Sequence, residues 1–287
     1  MKKFVSGCLV LGLVFTAAFY VGKASRAPIS SAVLQTRFEP SLYPLVNRSF
    51  VIAIVGRNNG AWLEKTLRSA VSQNYPQFRV IYIDDASDDG SFDLVKDLVQ
   101  ESREKERITL LRNETEQGEL VTLAHAIHGC DPQEIVVRLG GEDWLAHEWV
   151  LTKLNQYYAN SDLWMTYGQS REYPGFSIGA AKALDPALAV RSQPFSAAPL
   201  QSFYADLFQQ VALEDLQIPS AIAQSYMFPM LEMAAHHAAF IPDVLYIVNQ
   251  LHPKEPSDLT SFYDKSIRSQ SAYTALATRP SQAPEVP

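Results

Sequence analysis

The apolar positions along the chain fall into two alternating rhythms. Short runs rich in β-branched and aromatic residues at 50–55, 79–83, 108–111 and 134–139 read as strands bounded by polar turn residues. Segments with helical spacing lie between and after them, at 61–72, 92–104, 120–128 and 149–159. In the first of these Leu63, Leu67 and Val71 recur at i, i+4 and i+8 and share one face. A strand is expected over 163–169, helices over 200–211 and 226–237 with Pro229 at a start or kink, and a strand over 243–250. Strands alternating with helices predict βαβ units with right-handed crossovers, hence an α/β fold with a mostly parallel sheet flanked by helices. Residues 170–199 are rich in Gly, Pro, Ser and Ala with little periodicity, and a loop of such length is often functional.

The two ends differ from this body. Lys2 and Lys3 precede an uncharged run from 4 to 22, and Lys23 and Arg26 follow it. The run approaches the roughly 20 residues that span a bilayer as a helix, so a retained single-pass N-terminal transmembrane anchor is expected. The alternative is a signal peptide cleaved near Ala24, which leaves a secreted or periplasmic body. The division expected is an anchor or signal segment at 1–26, a linker or stem at 27–47, the α/β domain at 48–276 and a Pro-rich disordered tail at 277–287.

Composition narrows the function classes. Hydrophobic residues make up 47% of the chain, which suits a packed core and excludes wholesale disorder. The net charge of -7 comes without a basic stripe, so a nucleic-acid partner is not expected. Cys8 lies in the N-terminal apolar run and Cys130 in the body, which makes no disulfide framework, and no Cys/His cluster has zinc-ligand spacing.

The candidate chemistry sits at strand ends. Asp84 and Asp85 close the second strand and lead into Ala86-Ser87-Asp88-Asp89-Gly90; Gly140-Gly141-Glu142-Asp143 follows the fourth. In an open α/β sheet ligands bind at the carboxyl ends of strands, so these acids are expected to converge on one crevice. One carboxylate of the first pair could accept hydrogen bonds from a base or ribose, while a polar turn with a helix N-cap explains the same residues without a ligand. Glu142 and Asp143 could hold Mg²⁺ or Mn²⁺, which take oxygen ligands and keep waters and phosphates, or could complement a helix dipole. Gly140 and Gly141 would let backbone approach a ligand closely or serve a tight turn. Arg57, in Arg57-Asn58-Asn59-Gly60, could face a diphosphate or stand solvated. Further on, Glu214-Asp215 follows a helical segment, and Glu232 and His236 are spaced i, i+4. Phe228, Met230, Leu231 and Met233 read as core.

The opening strand, the WLEKTLRSAVSQNYPQFRVIYIDDASDDGS run and the later RLGGEDWL run resemble, in order and spacing, the family-2 glycosyltransferases of the GT-A fold. The resemblance covers residues 50–150 and extends more weakly to about 250. It implies transfer of a sugar from a nucleotide-diphosphate donor, a UDP-sugar in the first place, to an acceptor hydroxyl, with inversion and a divalent cation. On that basis Val55, Gly56 and Arg57 would flank the nucleotide, Asp85 would contact the base or ribose with Asp84 beside it, and Glu142 and Asp143 would stand at the metal place. Asp215 would be the catalytic base, with Glu232 as the alternative, and 170–199 would shape acceptor choice. Where the family usually has Asp-x-Asp-Asp, this chain has Gly140-Gly141-Glu142-Asp143. That departure opens a second reading, a protein that keeps the fold to bind glycan or nucleotide, or as a scaffold, without turnover. A nucleotidyltransferase would also use strand-end carboxylates, but no Gly-rich phosphate loop with a following Lys is present.

Overall fold

Phe50–Gly56 (β1) is buried at every position, which explains why it reads as an unbroken apolar run rather than an alternating one. Its odd and even positions serve different cores. Val51, Ala53 and Val55 face one apolar cluster, and Phe50, Ile52 and Ile54 face another on the opposite side of the sheet. The computed structural model describes residues 46–195, 197, 199–212, 223–251 and 257–282.

The remaining elements follow in chain order as Gly60–Val71 (α1), Phe78–Asp84 (β2), Ser91–Glu101 (α2), Ile108–Arg112 (β3), Glu119–His128 (α3), Ile135–Gly140 (β4), Trp144–Leu145 (β5), Val150–Tyr157 (α4), Met165–Tyr173 (β6), Leu200–Tyr204 (β7), Ala205–Phe208 (α5), Gln224–Ala234 (α6), Ala238–Asn249 (β8) and Ser257–Ser269 (α7). The eight strands form one sheet in the order β3-β2-β1-β4-β7-β6-β8-β5. Strands β3, β2, β1 and β4 are parallel. Strand β7 is antiparallel to both β4 and β6, so β6 again runs with β4, and β8 runs parallel to β6. The carboxyl ends of β1, β2, β4, β6 and β8 therefore share one edge.

Between residues 50 and 160 the strands and helices match their expected places within a few residues. Residues 200–211 do not. The expected helix is a strand, β7, followed by the single turn of α5. Every residue of both elements is buried, Gln201, Ser202 and Asp206 included, so the polar positions mark no solvent face and show no strand alternation. The expected disorder from 277 is also corrected as far as Gln282. Arg279 is 1% exposed, pairs with the equally buried Asp206 at 3.0 Å and lies 3.5 Å over the Tyr204 ring. The N-terminal apolar run and residues 283–287 lie outside the described residues. Among those described, no helix is long and apolar enough to cross a membrane.

Candidate active site

In the sheet Gly56 pairs with Asp84 and Val55 with Gly140, so the segments carrying the two acidic clusters leave the same edge on either side of β1. Helix α1 ties down the second segment. Asn59 Nδ2 donates to the Gly141 carbonyl at 2.7 Å and Asn59 Oδ1 accepts from the Tyr82 hydroxyl at 3.0 Å, while Thr66 Oγ1 donates to the carbonyls of Gly141 and Asp143 at 3.0 and 2.8 Å. A Cβ on Gly141 would lie 2.7 Å from both the Val55 carbonyl oxygen and Asn59 Nδ2. The close approach that requires glycine is thus made to β1 of the protein itself, not to a ligand.

Asp84 and Asp85 have different partners. Asp84 is fully buried; it accepts the Ser87 N–H and hydroxyl at 3.0 and 2.5 Å and pairs with Arg112 at 3.3 Å. Its carboxylate is engaged by the turn that follows β2 and by Arg112. Asp85 Oδ1 accepts from Asn113 Nδ2, the Gln117 N–H and Thr122 Oγ1 at 2.7, 2.9 and 3.1 Å, and Oδ2 accepts the Gly118 N–H at 2.8 Å. This side chain organises the loop from β3 into α3, and Oδ2 keeps one lone pair for a further donor. Arg57 is exposed and reaches Glu116 of the same loop at 2.9 Å. Val55 and Gly56 are buried in β1, where the Gly56 carbonyl receives the Asp85 N–H at 2.9 Å. Asn58 and Ala86 hold left-handed φ values of 52° and 58°, so both loops carry local strain at this edge.

The acids after β4 lie near a half-buried cation. Arg138 on β4 pairs with Glu119 in the first turn of α3; burial opposes its charge, but Glu119 holds its pKa well above the usual value. Burial, then Glu119 and Asp143, push Glu142 up to about 7, against the pull of Arg138. Burial also raises Asp143, partly offset by the Asn249 N–H at 2.8 Å and the Tyr246 hydroxyl at 2.8 Å, each donating to one of its oxygens. The Tyr246 hydroxyl in turn accepts the Gly140 N–H at 2.9 Å. A Cβ on Gly140 would lie 2.8 Å from Asp143 Oδ2 and 3.3 Å from the Tyr246 hydroxyl. The space a side chain at 140 would need is filled by Asp143 and Tyr246.

Among the described residues no three His, Cys, Asp or Glu side chains converge on a metal-holding point. The donor set still fits a magnesium-like ion held by few protein oxygens, since such ions bind through one or two carboxylates plus substrate phosphates. Glu142, whose charge is opposed by burial and two acids, is the carboxylate a cation would relieve. Asp143 has both oxygens engaged, by the Tyr246 hydroxyl and the Asn249 N–H.

Glu232, the expected alternative base, belongs elsewhere. It forms a two-pronged pair with Arg191 at 2.7 and 3.0 Å, both side chains 8% exposed, and accepts the Tyr273 N–H at 2.9 Å. That buried pair joins α6 to the loop before β7. The i, i+4 partnership with His236 is broken because α6 ends at Ala234 and Ala235 takes a φ of 48°. His236 packs on His237, which stacks on Trp164 at 3.9 Å. Asp215 lies outside the described residues. Phe228, Met230, Leu231 and Met233 are buried core, as expected.

Asn59, Thr66, Asn113, Glu119, Arg138, Tyr246 and Asn249 were not legible as site residues. Arg138 left a signal, a lone charge in the apolar run Ile135–Gly140; the others are polar residues in ordinary loop, helix or strand positions until the fold brings them together.

A half-parallel sheet with acids at its carboxyl edge, completed by an antiparallel strand and a returning parallel one, is the GT-A architecture of glycosyltransferases. The profile of glycosyl transferase family 2 matches residues 49–194, over half of the 287 residues, and the chain belongs to that family. No curated protein sequence matches it significantly. Its fold is similar to that of S. aureus TarS 1-349 in complex with UDP-GlcNAc, at 16% identity and a TM-score of 0.56, over 74% of this chain and 61% of that one. It is also similar to the mannosyltransferase PcManGT from Pyrobaculum calidifontis in complex with GDP-Man and Mn²⁺, at 17% identity and a TM-score of 0.56, over 84% and 70% of the two chains. GalNAc-T7 with UDP, GalNAc and Mn²⁺ gives 13% identity and a TM-score of 0.55, over 75% and 48%. The chain spans 61% of the TarS fragment's length.

Proposed function

We propose that this glycosyltransferase moves a sugar from a nucleotide-diphosphate donor, a UDP-sugar in the first place, to an acceptor hydroxyl in a single inverting displacement assisted by Mg²⁺ or Mn²⁺. The observation that carries this reading is the position of Glu142, on the same sheet edge as Asp85 and with its carboxylate charge opposed by burial, Glu119 and Asp143.

In this reading the nucleotide lies along the ends of β1 and β2. Asp85 Oδ2 offers its remaining lone pair to a base N–H or ribose hydroxyl, and Arg57 swings from Glu116 toward the diphosphate. Glu142 holds the cation, with Asp143, Tyr246 and Asn249 fixing the segment behind it. The cation when bound supplies charge stabilisation for the leaving diphosphate. Asp215 is the proposed base for the acceptor hydroxyl. Residues 1–26 are proposed as a membrane anchor or signal segment, and 48–276 as the catalytic domain.

Support for the donor class comes from family membership and from the nucleotide and sugar ligands of TarS, PcManGT and GalNAc-T7. The full-length chain is titrated by calorimetry with a panel of UDP-sugars and GDP-mannose, with and without Mn²⁺. Metal-dependent binding of one donor, lost in Glu142→Gln, is expected. Absence of binding by every donor to folded protein would return the filled site at Gly140 to prominence and favour a GT-A protein without turnover.

A further inference from the structure

A cluster of rings stands on the carboxyl edge beyond the acidic segment, on the side away from β2. Trp62 in the first turn of α1 stacks on Trp144 of β5, with centroids 6.4 Å apart and planes at 22°. Tyr173 at the end of β6 meets Trp144 edge-on at 5.2 Å and Trp62 at 6.2 Å. Phe176 adds its ring to Tyr173 at 5.7 Å. Trp144 is buried and explains itself as core; Trp62 and Tyr173 are half-buried, and Phe176 is 53% exposed.

This cluster is one ladder step from the acids. Tyr173 pairs in register with Asn249, whose N–H donates to Asp143. Polar groups lie among the rings. The exposed Lys65 holds its ammonium 3.5 Å over the Trp144 ring and 4.6 Å over Tyr173. Asn249 is 5% exposed, and its side-chain Nδ2 has no hydrogen-bond partner. Phe176 holds a φ of 55°, a left-handed conformation that a bulky residue rarely adopts. Its neighbours Glu172 and Ser177 are bridged by backbone and side-chain hydrogen bonds that keep the hairpin in place. A bulky apolar ring is thus held exposed, against local preference, on the Tyr173 ring.

We propose that Trp62, Tyr173 and Phe176 form the acceptor platform of this enzyme and that the acceptor is a saccharide whose pyranose ring lies on them. The proposal rests on the sugar-transfer reading of the neighbouring crevice. A pyranose has an apolar face of C–H groups and a rim of hydroxyls. Half-exposed aromatic rings match the face, and the exposed Lys65 ammonium beside them offers donors to the rim. With the nucleotide along β1 and β2, the rings lie past the acidic segment, where an acceptor hydroxyl must arrive.

Saturation-transfer NMR on the full-length chain tests this with methyl glycosides of glucose, galactose, mannose and N-acetylglucosamine as probes. Vesicles of phosphatidylcholine and phosphatidylglycerol are run alongside. At least one glycoside is expected to take saturation on the C–H protons of one ring face. Its binding should weaken about tenfold in Phe176→Ala and in Trp62→Ala, the size of one ring's contribution, and survive in Trp62→Phe. Phe176 is exposed, so its variant is expected to fold even where Trp62→Ala does not. No glycoside binding, binding unchanged in both alanine variants, or uptake by vesicles alone would each overturn the platform. UDP-sugar binding is measured on the same samples. Its loss with the ring-dependent glycoside signal intact would sink the donor reading and leave the platform standing; the reverse result would sink the platform alone.

Discussion

Tyr246 on β8 donates its hydroxyl to Asp143 Oδ2 at 2.8 Å and joins residues 103 positions apart in sequence. Because the same hydroxyl accepts the Gly140 N–H, it closes a three-way junction between β4, the acidic segment and β8. Tyr246→Phe removes the acceptor for one buried N–H and the donor to one buried carboxylate. The expected loss is about 1–3 kcal/mol, read by urea denaturation. Asp143 also loses an interaction that lowers its pKa, so its titration in the variant moves further upward.

Gly140→Asp restores by residue type the acid that the family usually carries. The junction predicts that it fails as a repair. Its Cβ would meet Asp143 Oδ2 at 2.8 Å and add a third acid where burial already opposes two. A Tm below wild type, with no gain in Mn²⁺ affinity by calorimetry, is the expected outcome. Tighter metal binding at unchanged Tm would show that Asp143 moves aside freely.

Glu142 sets a pH dependence. Its folded pKa of about 7 stands above the ordinary 4.5, so the folded protein holds this proton more tightly than the unfolded chain does. The stability it contributes is fully present below pH 4.5 and is lost as pH rises through about 7. Urea midpoints across that window should fall with pH in the wild type and fall less in Glu142→Gln. Binding of a cation to this carboxylate releases a proton, so apparent Mn²⁺ affinity should rise through the same window.

The Arg191–Glu232 pair gives a prediction of the opposite kind. Glu232→Ala leaves a buried guanidinium without its carboxylate and should cost about 3–5 kcal/mol. If the pair is structural, the folded fraction keeps its kcat for the donor and acceptor in use. A collapse of kcat with Tm unchanged would reinstate Glu232 as the base.

Much of the fold was legible from local pattern. The parallel half consists of short apolar runs and amphipathic helices in strict alternation, and each element carries its own signal. The strand at Leu200–Tyr204 did not, because the adjacent Gln201 and Ser202 are buried along with its apolar residues, so no alternation of apolar and polar positions marks a period of two. Arg279 was hidden for a related reason. A Pro-rich composition signals disorder, yet one arginine finds a buried aspartate more than 70 positions away and draws the chain through Gln282 onto the body.

The candidate site divides in the same way. Sequence alone determined that acids end two strands, and the parallel order then put them on one edge, because parallel strands joined by helices all finish on the same side. Only tertiary structure decided what each acid does. Asp84 turns inward to Ser87 and Arg112, Asp85 gathers the loop into α3, and Asp143 is held by Tyr246 and Asn249. Glu142 is left with its charge opposed by burial and by Glu119 and Asp143. A carboxylate's residue type and spacing say nothing of which donors reach it. Those donors come from strands and loops distant in sequence, and burial among them sets the charge each acid keeps.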